Sequence, residues 1–139
     1  MADVFISYAR EDKDFLGHLC DALAEFNLDT WVDSEDIIPS DKWWEAVQAG
    51  IAGSDNFVFV ISPYSAHSEA CFNEAAYADQ IHKRMLPVVY CNIDDDADLP
   101  HLHATLRERH WIFMRGEDDF NEAFQKLIDA INTDLPYIK

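Results

Sequence analysis

Residues Phe57-Val58-Phe59-Val60-Ile61 form a run of five apolar side chains with no polar alternation. A strand with one wet face alternates, whereas a strand that is apolar at every position is buried on both faces. The run is too short for a core helix, and Ser62-Pro63 stops it. Such a strand sits at the centre of a sheet with a layer on each side, and the rest of the chain must supply those layers.

The flanking sequence supplies them in order. Val4-Phe5-Ile6, ending in Ser7-Tyr8, reads as a first strand. Asp12 stands where a helix cap belongs, and Phe15, Leu16, Leu19, Cys20 and Leu23 share one face of the helix that follows. Residues 28–32 alternate as a second strand. Residues 33–42 are polar, with Pro39 inside, and read as a loop. Ser40 or Asp41 starts a helix with Trp44, Val47 and Ile51 inward and with Gly50 and Gly53 marking its end. After the central strand come a helix over about 68–83 and a fourth strand over 85–90, where Pro87 points to a bulge or a partly exposed edge. An acidic loop spans 92–98, a fifth strand 111–114, and Asp119 with Glu122 resembles a capping box. The last helix carries Phe120, Phe124, Leu127, Ile128 and Ile131 on one stripe. Five strands alternating with helices predict an α/β fold: a parallel sheet whose right-handed crossovers place helices on both faces.

Composition narrows the function. The 139 residues fit one domain, and 10 basic against 27 acidic residues give a net charge of −17, a surface that repels nucleic acid and anionic membrane. No apolar run approaches the ~20 residues of a membrane helix. The start Met1-Ala2-Asp3-Val4 has no basic leader. Three scattered cysteines, Cys20, Cys71 and Cys91, fit a reducing compartment, so a cytoplasmic location is expected. Four glycines leave no phosphate-cradling loop of the dinucleotide-binding type. His101 and His103 lack a third ligand, and the Asp94, Asp95, Asp96, Asp98 run lacks the glycine and terminal glutamate of a calcium loop, so no metal site is expected.

Two parallel folds have this element count. A receiver domain of two-component signalling needs acids after strand one, an Asp after strand three and a Lys after strand five. Those positions hold Ser7-Tyr8, Ser62-Pro63 and Arg115-Gly116, so that chemistry is absent. The other fold fits along nearly the whole chain. Asp3 to Tyr8 resembles the first box of the TIR (Toll/interleukin-1 receptor) domain. The stretch from Asp33 through Pro39 to Trp44 is similar to its BB loop, and Ser68-x-x-Cys71-x-x-Glu74 to its central motif. His110-Trp111-Ile112-Phe113 is a looser match to its third box.

The resemblance implies a flavodoxin-like five-stranded sheet of order 2-1-3-4-5, a domain over 1–134, and a linker from 135 toward a sensor domain outside this sequence. Some TIR domains cleave NAD+ between nicotinamide and ribose, with the glutamate of the central motif as catalytic residue, here Glu74. NAD+ is then substrate and no cofactor is needed. The residues support the position independently. Cys71, Ala75, Ala78 and His82 lie on one helical stripe with Glu74 on its flank, near the strand carboxyl ends where open α/β sheets bind ligands.

By resemblance, Phe5, Ser7, Tyr8, Arg10, Phe57, Ser68 and Cys71 line the pocket. For Phe5 and Phe57 a core role is the competing reading, for Tyr8 simple packing, and for Cys71 a small buried thiol. Asp36, Ile37, Ile38, Pro39 and Trp43 belong to the BB loop region, where β-branched residues in a polar loop imply a buried contact. In the family that loop gates the pocket and mediates TIR–TIR assembly. One departure stands out: many members carry Trp just before the motif cysteine, where this chain has Ala70. The expected function is an NAD+ glycohydrolase activated by self-association in defence or stress signalling, releasing nicotinamide and ADP-ribose or a cyclic product. The alternative is a non-catalytic TIR adaptor.

Overall fold

The run at 57–61 lies within the central strand, β3 (Asn56–Ile61), of five parallel strands, and every residue of that strand is buried. The computed structural model describes residues 3–32, 41–91, 106, 111–116 and 118–132. With β1 (Val4–Ser7), β2 (Thr30–Val32), β4 (Met85–Val89) and β5 (Ile112–Phe113), the sheet has the order β2-β1-β3-β4-β5, as the family resemblance implies. All four neighbouring pairs are parallel.

Alternate side chains divide the core into two layers. Val4, Ile6, Val58, Val60 and Val88 face α1 (Lys13–Glu25) and α5 (Phe120–Asn132), where Leu19, Leu23, Leu127 and Ile128 cover them. Phe5, Phe57, Phe59, Ile61 and Met85 face the other way, against α2 (Asp41–Gly53) and α4 (Glu69–Gln80). That second layer is aromatic. Phe5 stacks on Trp31 at 4.9 Å and on Phe57 at 5.5 Å. A fully buried Phe contributes about 1.5–3 kcal/mol, so this stack anchors the sheet centre.

Several local expectations change. Ser62-Pro63 does more than stop β3: Ser62 caps a four-residue helix, α3 (Pro63–Ala66), before Ser68 caps α4. His82 leaves the α4 stripe, since it follows the helix with φ 60°. Pro87 is buried inside β4 rather than at an exposed edge. It is tolerated because the ladder to β5 engages only Val88 and Val89, beyond the proline. Asp119 does cap α5, accepting from Glu122 N at 3.2 Å. The expectations for Asp36, Ile37, Ile38, Pro39, the 92–98 run, His101, His103, His110 and 135–139 fall outside the described residues.

Gly50 is no end signal. It lies inside α2, and a Cβ there would meet Trp31 Cε2 at 2.6 Å. The indole is held in the aromatic stack and cannot swing away. Gly17, on the open side of α1, has nothing within 4 Å. We expect Gly50→Ala to lower stability by about 1–3 kcal/mol despite alanine's better helix propensity, and Gly17→Ala to raise it by about 0.5–1 kcal/mol. Urea unfolding of both variants checks this; equal gains would mean that the Trp31 contact is loose.

Candidate active site at the carboxyl edge of the sheet

From β1 the chain crosses to β2 on one side, then returns past β1 to β3. The carboxyl ends of β1 and β3 therefore flank the switch point where open α/β sheets leave a crevice. Ser7 ends β1 there, and alternation turns it toward the α2/α4 face. α4 crosses the same edge with Cys71, Ala75 and Ala78 buried against the sheet.

Glu74 lies on the flank of that stripe and is only 4% exposed. The Ser7 hydroxyl donates to its Oε1 at 2.7 Å. A carboxylate out of water is costly unless hydrogen-bonded, and this bond joins it to the last residue of β1. Ser68 caps α4, its Oγ accepting from Cys71 N at 3.2 Å. Four of the anticipated residues, Ser7, Ser68, Cys71 and Glu74, thus form one cluster. The Cys71 thiol is pushed up to about 12, first by burial, then by the Glu74 charge, against hydrogen bonds from Ser68 and Ser7. It is a protonated, buried group, not a nucleophile.

The other residues lie apart from this cluster. Phe5 and Phe57 are fully buried in the stack, two register positions toward the strand amino ends from Ser7 and Phe59, or roughly 6–7 Å at ~3.3 Å per residue. Tyr8 packs on the α1/α5 layer, and Arg10 is exposed in a 3₁₀ turn, Arg10–Asp12. Trp43 packs beside Trp44 near the α2/α4 layer. Ala70 is exposed at the first turn of α4. An open groove lined by Trp111, Phe113, Arg115 and Lys126 sits at the β5 edge, three strands from Ser7.

Sequence reasoning missed a second polar cluster at this edge. Asp12 makes no cap bond to α1. Its carboxylate, 1% exposed, accepts instead from Ser62 Oγ at 2.5 Å and from the Tyr90 hydroxyl. The available signal was a polar residue directly after β3 and after β4, with Asp12 five residues beyond the end of β1, but Asp12 also reads as a helix cap and Ser62 as a strand stop. Burial and the bond to Asp12 push the Tyr90 hydroxyl well above the ordinary tyrosine range. Among the described residues no group of His, Cys, Asp and Glu could hold a metal ion, and no helix is long and apolar enough to cross a membrane.

A family model described as TIR domain matches residues 4–128. The chain is similar to the TIR domain of the Toll-related receptor TRR-2 from Hydra magnipapillata, at 19% identity and TM-score 0.77, over 96% of this chain and 100% of that one. It is similar to a metazoan TIR-STING receptor from C. gigas, at 25% identity and TM-score 0.72, over 97% of this chain and 40% of that one. The heterodimer of the RPS4 and RRS1 TIR domains matches at 21% identity and TM-score 0.66, over 92% and 94%.

The Cys71 shift has a pH consequence. Its folded pKa lies above the ordinary value of 9.0, so above about pH 9 the unfolded chain loses the thiol proton while the folded chain keeps it. The unfolded state then binds fewer protons, and stability falls as pH rises from 9 toward 12. Thermal melts of wild type and Cys71→Ser between pH 7 and 11 should show a shallower alkaline decline in the variant; parallel curves would remove the assignment.

Proposed function

The chain belongs to the TIR domain family, and from that premise we propose that it is an NAD+ glycohydrolase with Glu74 as its catalytic carboxylate. One observation carries the reading: the motif glutamate is buried at the β1/β3 edge, accepting a hydrogen bond from an aliphatic hydroxyl, that of Ser7. A ribose hydroxyl is the same kind of donor. Exchanging Ser7 for a ribose diol would keep the carboxylate satisfied while binding the sugar.

The reaction then needs little else. Nicotinamide in NAD+ is a cationic leaving group and departs without a general acid. Breaking the glycosidic bond leaves positive charge on C1 and the ring oxygen of the ribose. A fixed carboxylate in a poorly solvated site stabilises that charge as it develops. Water attack gives ADP-ribose; attack by the adenine gives a cyclic product. Nicotinamide leaves in either case.

Self-association belongs to the same reading. TIR domains pair in the heterodimer described above, and in this reading a neighbouring subunit completes the NAD+ pocket. We assign the contact to the BB loop region, Asp36, Ile37, Ile38, Pro39 and Trp43, by resemblance to the family. Activity then rises with protein concentration. Defence or stress signalling is the setting that such an enzyme fits.

Ala70 favours a second reading, a non-catalytic module acting through TIR–TIR contacts, because the ring that many relatives place beside the motif cysteine is missing. Nicotinamide release from NAD+ by concentrated protein separates the two. We expect Glu74→Gln, which keeps an acceptor for Ser7, to fold and to lose roughly 100-fold or more in kcat. A folded Glu74→Gln protein with wild-type turnover would overturn the assignment. A charge in the loop, Ile38→Glu, should flatten the concentration dependence of cleavage; unchanged dependence counts against assembly through that loop.

A further inference from the structure

Among the described residues, Asp12 and Glu74 are the buried acids, and the cleavage step uses only Glu74. Asp12 follows β1 through the 3₁₀ turn. Ser62 directly follows β3 and Tyr90 directly follows β4, so the Asp12 carboxylate ties together the carboxyl ends of three adjacent strands.

Ser62 carries the link onward. Its Oγ accepts from Ser65 N at 3.1 Å, and Ser65 Oγ accepts from Ser62 N at 2.9 Å. Ser68 N donates to Ser65 O at 3.1 Å, and Cys71 N donates to Ser68 Oγ at 3.2 Å. One turn later Glu74 returns to Ser7. Ser7 and Asp12 leave the same strand end five residues apart. The hydrogen bonds therefore close a ring from the end of β1, through the β3–α4 connection, and back to β1. α4 is tied to β1 directly by Ser7–Glu74, and the connection that leads into α4 is tied at its start to the segment after β1 by Asp12–Ser62. If the second tie is lost, the first turn of α4 can slide or tilt, and Glu74 moves with it.

Resting on the NAD+ cleavage reading, we propose that Asp12 is a positioning residue for Glu74. By holding Ser62 and Tyr90 it fixes the 62–68 connection, and so the start of α4, against the crevice between β1 and β3. It does not touch the sugar. Cys71 reports on this arrangement without any chemistry on NAD+: its thiol is 2% exposed and lies in the field of both acids.

The test uses a Cys20→Ser, Cys91→Ser background, in which Cys71 is the remaining thiol. Asp12→Ala should raise the rate of Cys71 labelling by a disulfide reagent roughly tenfold with helical circular dichroism retained, since the buried thiol reacts only when the start of α4 opens locally. In the same protein kcat for nicotinamide release should fall by roughly tenfold to 100-fold, with KM for NAD+ within about twofold. Asp12→Asn, which keeps an acceptor for Ser62, should restore most of both. Tyr90→Phe, which removes one hydroxyl, should move both in the same direction by less and serves if Asp12→Ala does not fold. A protected Cys71 in folded Asp12→Ala overturns the proposal, as does a rise in KM at unchanged kcat. So does Asp12→Asn behaving like Asp12→Ala. If wild type releases no nicotinamide, the cleavage reading fails on its own, and the thiol arm still decides whether Asp12 holds α4.

Discussion

A strand that is apolar on both faces forces two helical layers, and in this chain that strand is β3. Its backbone hydrogen bonds go to β1 and β4, its side chains to two separate cores. Along β3 water is excluded from every residue. Any polar group near the carboxyl edge must therefore find its partner inside the protein. Ser7, Ser62, Asp12 and Glu74 do so, and among the described residues no buried side-chain nitrogen or oxygen is without a hydrogen bond. The candidate site is the place where the apolar sandwich runs out and the polar accounting becomes exacting.

That arrangement explains why the architecture was legible and the site only half so. Periodicity reports which face a side chain takes, and it placed Leu16, Leu19 and Leu23 on the buried face of α1 without coordinates. It also set Glu74 on the flank of a buried stripe. It does not report pairing across sequence distance. Asp12 and Ser62 are 50 residues apart, and Asp12 and Tyr90 are 78 apart. Nothing local distinguishes a capping Asp from one that reaches into the sheet edge. Gly50 failed for a related reason: a glycine near a helix end looks like a stop, while its actual constraint is an indole from β2.

The burial of Glu74 bears on both functional readings. A carboxylate already satisfied by Ser7 is poised and protected, and a ligand must outcompete a bond within the protein. An enzyme that should stay silent until it assembles gains from such a resting state, because binding at a second surface can bias a small rearrangement of one helix. In a purely adhesive module the same acid would serve only as the tie between α4 and β1.

The two ends of the sheet carry a different consequence. Its outer strands are β2, with three residues, and β5, with two, and Arg115 lies over the ring of the exposed Phe113 at 4.8 Å. Flanks this short offer a neighbouring polypeptide almost no row of free amides and carbonyls to zip onto. On these described edges, copies of this chain that associate would meet through side chains on helices and connections. Contacts of that kind can be tuned, reversed and switched, whereas extension of the sheet from one copy to the next would commit them to a fibre.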